Sequence, residues 1–473
     1  MFKKLLSETI IYGIGAILPR VITFLLNPFY IDNFEGADDF AKFVNLYAII
    51  SVVNIVLTFG IETAYFRFSA NKDEESKTFN TSYIFLALNA LTFLVLVLIF
   101  NKPIANVLDY QENPEYIRWF AWIAFFDTLC VIPFAWLRFN NKPIQYSAIR
   151  VGQSILQTLL VLGLFLWVPM EFPRTIGLEE KVAYPFFSNV IGSLAGFVLL
   201  LPIALKVRPN FDVALFKRMI AYSWPIMIAG FAFMINENFD KIVQRLMISP
   251  FDAGAYGGSY KLAALMTLFV TAYRLGIEPY FFKQMEHKDA KKRYAQVTEY
   301  FVVAGSIIAL GLIANLDWLK DLFIRDPSYW IALDIIPIIV IANLFFGIYY
   351  NLSTWYKVTD RTHFGTYISW IGAIITLLLN LLLLPIYGFM ISAWATLIAY
   401  FCMAVLSYFL GQRYYPIPYK KKKILFYLTL CVVLSVISYV IFDANYIIGN
   451  IFLLSYLGMT YYIEKRSLKL YED

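Results

Sequence analysis

Long apolar segments recur along the whole chain and are separated by short polar connections. Fourteen of them are close to or above the length of about 20 residues that an α-helix needs to cross a bilayer. None alternates apolar with polar residues as a strand of a membrane barrel does. The pattern predicts an all-α polytopic membrane protein with spans at 7–31, 40–66, 79–101, 117–138, 144–168, 182–205, 220–248, 254–282, 295–316, 329–356, 364–386, 388–411, 422–442 and 444–463.

Composition agrees with this class. Of the 473 residues, 60% are hydrophobic and only 15% are charged, which is too apolar for a soluble fold. The three cysteines lie inside apolar segments, so we interpret them as packing residues. His287 and His363 lie in connections without other metal ligands nearby, and we expect neither a metal nor a cofactor.

The distribution of basic residues predicts the orientation. With the amino terminus in the cytoplasm, the inner connections collect most of the 39 Lys and Arg residues, as the positive-inside rule requires. The first outer turn, IDNFEGADDF, has four acids and no base. An even number of spans then leaves both termini cytoplasmic. The basic run at 420–423 either anchors the start of a span or binds anionic headgroups.

Two similar segments suggest an internal repeat. LTFGIETAYFRF at 57–68 and YRLGIEPYFFKQ at 273–284 each close a span at its inner end, and Gly60 of the first aligns with Gly276 of the second. Six spans separate them, so the repeated units enter the membrane in the same direction, as in a parallel repeat. The alternative is a chance similarity between span ends. We predict an N-terminal lobe of six spans at 1–206, a cytoplasmic linker at 207–218, a C-terminal lobe of six spans at 219–413, and a linker, two appended spans and a cytoplasmic tail at 414–473.

Charged residues occur deep within several spans. Arg20 lies thirteen residues after Ser7, about 20 Å along a helix. A charge at that depth is expensive unless water or a partner receives it. We interpret it as facing a water-filled cavity, and the alternative is a structural ion pair. The segment FMINENFDKIVQRL of the seventh span carries a polar face, on which Glu237 and Lys241 either pair along the helix or face the same cavity.

Further charges lie in four other spans, at Asp127, Arg150, Lys261 and Asp334. Both lobes therefore contribute polar faces, as expected for a central cavity. The sequence has no G-x-x-x-x-G-K-[ST] phosphate loop. A basic cavity between two lobes without an ATP-hydrolysing motif indicates a secondary transporter.

Three stretches carry a family resemblance: ETIIYGIGAILPRVITFLLNPFYI, FGIETAYFRFSA and AGAYGGSYKLAALM. They resemble the polysaccharide-biosynthesis (Wzx-type) flippases of the MOP exporter superfamily. The resemblance implies two six-helix lobes around a central cavity. It also implies that an undecaprenyl-pyrophosphate-linked oligosaccharide crosses the bacterial cytoplasmic membrane by alternating access. We expect a monomer that contacts membrane lipids, has no nucleic-acid partner and has no enzymatic activity.

The resemblance also suggests roles for single residues. Arg20 matches a basic residue in the first helix of such flippases, and Lys261 falls near a basic position of the eighth helix in the lipid II flippase branch. In that branch the two appended helices form a groove for the lipid tail. The candidates are Arg20, Arg150, Lys241 and Lys261 for substrate binding, Glu237, Asp240, Asp127 and Asp334 for coupling to H⁺ or Na⁺, and Glu62, Arg67, Arg274 and Glu278 for a cytoplasmic gate.

Two alternatives remain open from the sequence. One is a multidrug or other small-molecule exporter of the same superfamily, for which a net acidic pocket is expected, whereas the charges here balance. The other is a membrane glycosyltransferase or polymerase, which needs a large outer loop that this chain lacks. At the gate, the acids either meet bases across it or neutralise a base of their own helix, such as Arg274 four residues before Glu278.

Overall fold

The computed structural model describes residues 2–169, 173, 178–285, 287–359 and 361–469. Throughout these residues the secondary structure is helical, with no strand. Thirteen of the described helices are long and apolar enough to cross a membrane. Helices suit this solvent because each satisfies its own backbone hydrogen bonds without water. The predicted all-α polytopic class is confirmed.

The helices form two compact units, the first being Met1–Pro250. Proline begins several of its helices, where the missing N–H costs nothing. The carboxylate of Asp212 caps its last helix by accepting a hydrogen bond of 2.9 Å from the backbone N–H of Leu215. Its helices are Phe2–Leu25, Asn27–Asn33, Ala37–Thr58, Ile61–Ser69, Glu75–Ile99, Asn101–Val107, Pro114–Phe139, Pro143–Leu166, Ala183–Ala204 and Val213–Met247.

The second unit is Phe251–Asp473. Its most buried span, Ile335–Leu352, packs against Met390–Tyr414 and against Ala290–Ala314. The helices of this unit are Pro250–Gln284, Ala290–Ala314, Leu316–Phe323, Ile335–Leu352, Thr354–Val358, His363–Tyr387, Met390–Tyr414, Lys421–Val436 and Tyr446–Lys469, with a 3₁₀ turn at Pro327–Ala332 and a π turn at Ile437–Ile441.

Thirteen of the fourteen predicted spans coincide with these apolar helices. The remaining segment, 254–282, lies in the continuous helix Pro250–Gln284, whose 35 residues extend about 50 Å. This helix is long enough to cross the membrane. Among the described residues, however, it is not one of the thirteen helices that are both long and apolar enough to do so. Its crossing stays a prediction, and the cytoplasmic position of the carboxyl terminus depends on it.

The second predicted span is not one continuous helix. Ala37–Thr58 ends at Phe59, which has φ 52°, and Gly60 follows with φ 67° before Ile61–Ser69 begins. The left-handed region is strained for residues with a Cβ atom and open to glycine. A Cβ atom at position 60 would lie 2.9 Å from the carbonyl oxygen of Ser223. The break therefore lets the chain approach the helix Val213–Met247 closely.

The helix Val213–Met247 packs within the first unit. The Asn45 side chain donates hydrogen bonds of 2.9 Å to the carbonyl oxygens of Lys241 and Ile242. Near the end of the helix, Arg245 donates to the carbonyl oxygen of Leu108 at 3.1 Å. These contacts place the helix in the first compact unit. The predicted lobes at 1–206 and 219–413 are defined differently, by the proposed repeat, and there this helix begins the second lobe. The lobe boundaries stay a prediction.

Candidate functional site

The first of the two similar segments, 57–68, contains the tripeptide Gly-Ile-Glu and forms an ion pair with another helix of the first unit. Glu62 lies 2.8 Å from Nη1 of Arg138, the last basic residue of Pro114–Phe139. Arg67 instead stacks over the ring of Tyr222, 4.2 Å from its centroid. Both residues of the ion pair are close to half exposed. The partner of Glu62 is therefore a base on another helix and not Arg67 of its own segment.

The second segment, 273–284, also contains Gly-Ile-Glu, and its glutamate forms an ion pair inside the second unit. Glu278 accepts a hydrogen bond of 3.2 Å from Nζ of Lys357, which lies in the short helix Thr354–Val358. Arg274 and Lys357 both lie against the ring of Tyr350, at 5.1 and 4.1 Å from its centroid. The close ion pair of Glu278 is thus with Lys357, while Arg274 acts on it from a greater distance.

These two ion pairs occupy equivalent places in the predicted repeat. Arg138 follows Glu62 by 76 residues, and Lys357 follows Glu278 by 79 residues. In both units the acid follows Gly-Ile at the inner end of one predicted span, and the base closes the span two further along. The sequence named Arg67 and Arg274 as partners because they lie nearby in the chain. The role of all four candidate residues in a gate stays a prediction.

Of the four candidate substrate-binding cations, three lie in the first unit and Lys261 lies in the second. Arg20 follows Pro19 in the helix Phe2–Leu25 and its side chain is exposed. The guanidinium of Arg150, also exposed, lies 4.0 Å from the ring centroid of Phe134. Lys261 is half-buried in Pro250–Gln284.

Lys241 lies in a buried ion pair. Its ammonium lies 3.1 Å from the carboxylate of Asp240, and their side chains are only 8% and 3% exposed. It also donates a hydrogen bond of 2.7 Å to the backbone carbonyl of Glu237. One turn further, the amide of Gln244 is buried and has no hydrogen-bond partner among the described residues. The polar face predicted for this helix is thus largely buried, with a tight ion pair at its centre.

Asp127 belongs to a second polar cluster of the first unit. Its nearest polar and charged neighbours include Ser193 and Arg150. The cluster continues where Gln157 donates to the Asn189 side chain at 2.6 Å and Asn189 donates to the Tyr47 hydroxyl at 3.0 Å. Glycines of Ala183–Ala204 make room for this cluster, because a Cβ atom at Gly192 would collide with Gln157.

Asp334 belongs to the second unit, whereas both clusters belong to the first. It occupies the N-cap position of Ile335–Leu352, is exposed, and accepts a hydrogen bond of 2.5 Å from the Tyr439 hydroxyl. The sequence placed Asp334 inside the tenth span, predicted at 329–356, whereas the apolar helix begins only at Ile335. Its role in ion coupling stays a prediction.

One charged cluster of the first unit was not predicted. Glu180 lies 2.8 Å from Nζ of Lys42 and accepts hydrogen bonds from Tyr116 at 2.8 Å and Asn113 at 3.3 Å. Burial opposes ionisation of Glu180, but the hydrogen bonds from Lys42 and Tyr116 outweigh it and hold the pKa of this carboxyl below its ordinary value. These three partners are 138, 64 and 67 residues away along the chain, so local sequence patterns carried no signal for the cluster.

Among the described residues, no group of three or more His, Cys, Asp and Glu side chains could hold a metal ion. Cys130 and Cys431 are buried thiols and Cys402 is half-buried. The polar clusters described above offer carboxylates, amides, hydroxyls and cations. Such groups can bind a polar or anionic ligand or exchange a small cation.

Comparison with known proteins supplies the family context. The protein family described as "Polysaccharide biosynthesis protein" matches residues 5–271. The Lsg locus protein 1 of Haemophilus influenzae is 20% identical over 291 residues, which cover 60% of this chain and 68% of that protein. An uncharacterized membrane protein of Methanocaldococcus jannaschii is 21% identical over 392 residues, covering 77% of this chain and 87% of that protein.

Solved structures share the fold. The lipid II flippase MurJ in an inward closed conformation superposes with a TM-score of 0.76 at 15% identity, over 96% of this chain and 99% of that one. An inward-facing multidrug resistance MATE family transporter of the MOP superfamily superposes with a TM-score of 0.67 at 11% identity, over 86% of this chain and 97% of that one. The fold resemblance stated from the sequence is confirmed.

Proposed function

Because the chain belongs to the polysaccharide biosynthesis protein family, we propose that it is a secondary transporter that flips an undecaprenyl-pyrophosphate-linked oligosaccharide. Transport runs from the inner to the outer leaflet of the bacterial cytoplasmic membrane. The family match over residues 5–271, which includes Arg20, is the observation that carries the proposal. The fold shared with a flippase named for lipid II, over 96% of the chain, supports it.

The substrate has to move a doubly charged headgroup past about 30 Å of hydrocarbon while its lipid tail stays in the bilayer. A pyrophosphate needs a cation on that path. Arg20 is the best candidate, because it lies deep in the first span and its side chain is exposed. A guanidinium donates two parallel charge-assisted hydrogen bonds to phosphate oxygens, which a lysine does not. Arg150, Lys241 and Lys261 are the further cations of the proposed path.

Ion coupling is proposed to act through the pair of Asp240 and Lys241. As long as Asp240 is ionised, its carboxylate holds the ammonium 3.1 Å away in a buried site. Protonation of Asp240, or Na⁺ binding to it, would weaken that attraction and release Lys241 toward an anionic substrate. Glu237, Asp127 and Asp334 are the other carboxylates proposed for coupling.

At the inner ends of the spans, Glu62, Arg67, Arg274 and Glu278 are proposed to take part in a cytoplasmic gate. We place both termini in the cytoplasm and treat the protein as a monomer. Its lobes are proposed to be 1–206 and 219–413, with the two remaining spans appended.

The second candidate function is that of a multidrug or other small-molecule exporter. The fold likeness to MATE transporters, with a TM-score of 0.67, favours it. A transporter of organic cations would need Arg20 less than a transporter of pyrophosphates, because like charges repel. Substitution of Arg20 therefore separates the two functions.

The test is complementation in a bacterial strain from which the gene for this protein has been deleted, so that surface polysaccharide is made only when a functional copy is supplied. We expect Arg20→Ala to abolish surface polysaccharide and Arg20→Lys to retain part of it, because the charge remains without the two-pronged geometry. Arg118→Ala is the matched control, since Arg118 is an exposed arginine near the start of another span. The measurement is the amount of polysaccharide on intact cells, normalised to protein in the membrane.

Two outcomes contradict the proposal. One is full complementation by Arg20→Ala at normal membrane level, which would make Arg20 a structural residue. The other is loss of polysaccharide in Arg118→Ala and Arg20→Ala alike, which would reflect a general sensitivity to the loss of positive charge.

A further inference from the structure

The second unit contains a groove with one apolar part and one acidic end. The apolar part has a volume of about 670 Å³, in the range of about 300–1,000 Å³ typical of ligand sites. It is formed by the facing sides of four helices, and its walls include Ile338, Ile341, Trp394, Leu397 and Val436. All of these residues belong to the second unit.

A smaller cavity of about 250 Å³ continues the groove at one end. The two spaces share Asp334, Tyr439 and Asp443 in their linings. Asp317 and Lys320 also line the smaller cavity, and they form an ion pair of 2.8 Å with each other. Among the residues that the structure describes, no basic side chain forms an ion pair with Asp334 or Asp443. These two exposed carboxylates therefore give the end of the groove its negative charge.

The backbone around Asp443 is irregular. The helix Lys421–Val436 continues as the π turn Ile437–Ile441, and Asp443 and Ala444 follow with φ 47° and 55°. Left-handed backbone at two successive residues with a Cβ atom is strained and persists only where the surroundings impose it. Single π turns inside helices are often found at functional sites. Here the turn brings the Tyr439 hydroxyl to Asp334 and leaves Asp443 at the mouth of the groove.

The charges of the groove select the kind of ligand. Two carboxylates repel a phosphate-rich headgroup, so the groove does not suit the pyrophosphate of the proposed transport substrate. They attract an ammonium group, and the half-exposed ring of Trp394 in the same lining offers a face that also attracts cations. The long apolar part requires a ligand with a hydrocarbon chain. A free metal ion or a free amine would leave that part unfilled.

We propose that this groove binds a membrane lipid whose headgroup carries an ammonium, of the phosphatidylethanolamine type. One acyl chain lies along the apolar walls, and the ammonium lies between Asp334 and Asp443. The lipid phosphate lies toward solvent, on the side of Lys320. The site is inferred only from the walls and charges of the groove and does not rest on the proposed function, although it shares Asp334 with the carboxylates proposed for ion coupling.

The experiment uses the full purified chain, exposed to vesicles with equal amounts of phosphatidylethanolamine and phosphatidylglycerol that carry the same acyl chains. Native mass spectrometry then counts the lipids of each kind that remain on the protein. We expect a several-fold enrichment of phosphatidylethanolamine, lost in Asp334→Asn/Asp443→Asn. Asp321→Asn is the control, because Asp321 is an exposed acid of the neighbouring helix Leu316–Phe323 that does not line the groove.

A second variant tests the apolar part. Val436 lines the groove and its side chain is 51% exposed, so a tryptophan there fills the groove without entering the core. We expect Val436→Trp to lower retention of the lipid while the protein keeps its melting temperature. Equal retention of both lipids by the unmodified chain would overturn the proposal. Enrichment that survives in the double aspartate variant, or in Val436→Trp, would overturn it too.

Discussion

The tripeptide Gly-Ile-Glu occurs at 60–62 and at 276–278 on two different backbones. In the first unit, Phe59 and Gly60 interrupt the span in the left-handed region, and position 60 touches the Ser223 carbonyl. In the second unit, Gly276 lies inside the continuous helix Pro250–Gln284, and among the described atoms none lies within 4 Å of where its Cβ atom would be. Both acids nevertheless form ion pairs with a base from another helix of their own unit. The two segments of the predicted repeat therefore share the ion pair and not the local backbone.

This difference separates what the two glycines do. Gly60 allows a turn and a close approach to the Ser223 carbonyl, whereas Gly276 lies within a regular helix and is needed for neither. The ion pairs differ as well, because Lys357 is 26% exposed while Arg138 is 46% exposed. A more buried pair is less screened by water, so the coupling free energy between its two charges is larger.

The comparison assumes that the segments 57–68 and 273–284 lie on the same, cytoplasmic side of the membrane, and it is wrong if they lie on opposite sides. We expect Lys72→Cys and Lys288→Cys to react with a membrane-impermeant maleimide only from the cytoplasmic side, and Glu112→Cys only from the outer side. The three native cysteines are replaced first. All three target positions are exposed, so accessibility is not limited by burial. Labelling of Lys288→Cys from outside would mean that Pro250–Gln284 does not cross as predicted, and would remove the parallel repeat.

The largest stability effect is expected at Gly60. An alanine there would have to adopt φ near 67° and would place a methyl group 2.9 Å from a carbonyl oxygen. The strain alone costs about 1–3 kcal/mol. We expect Gly60→Ala to lower the melting temperature of the purified protein clearly, because a backbone oxygen on a packed helix cannot move away easily. A melting temperature equal to that of the unmodified chain would show that the turn tolerates a side chain.

The ion pairs should give intermediate effects. We expect a double-mutant cycle of Glu278→Gln with Lys357→Met to yield a coupling free energy of about 0.5–1 kcal/mol, and a cycle of Glu62→Gln with Arg138→Met to yield less than about 0.5 kcal/mol. Free energies of unfolding in detergent provide the measurement. Equal couplings in the two units, or a larger one in the first, would contradict the difference inferred from burial.

The smallest effect is expected at Gly276. An alanine in the middle of a helix is favoured over glycine by up to about 1 kcal/mol, and none of the described atoms lies within 4 Å of the added methyl group. We expect Gly276→Ala to leave the melting temperature unchanged or to raise it slightly. A fall as large as that of Gly60→Ala would mean that both glycines have the same role.

The sequence predicted the helices well, because an apolar segment of about 20 residues leaves the backbone little choice in lipid. It did not predict the break at Phe59–Gly60, since the apolar pattern runs through it and glycine alone does not specify a turn. The partners of Glu62 and Glu278 were also out of reach, because 76 and 79 residues separate them from Arg138 and Lys357. Contacts of that kind arise from packing, which a single sequence does not encode locally.

The basic run at 420–423 is one case in which packing favours one of two interpretations. Lys420 and Lys423 lie 3.4 and 3.6 Å from the buried carboxylate of Glu299, and Lys423 lies 2.8 Å from Glu464. At least two lysines of the run thus hold the start of Lys421–Val436 against neighbouring helices. This supports the interpretation that the run anchors the start of a span. Binding of anionic headgroups would then involve the remaining two lysines.

The most direct test of the proposed function is transport by the purified protein in sealed vesicles. The vesicles contain a fluorescent undecaprenyl-pyrophosphate-linked oligosaccharide, and a membrane-impermeant glycosidase reports the fraction of sugar that faces outward. We predict that the protein speeds exposure of the initially protected sugar and that Arg20→Ala removes this acceleration while Arg118→Ala does not. An unchanged rate of exposure, together with transport of an organic cation by the same vesicles, would contradict the flippase and favour the small-molecule exporter.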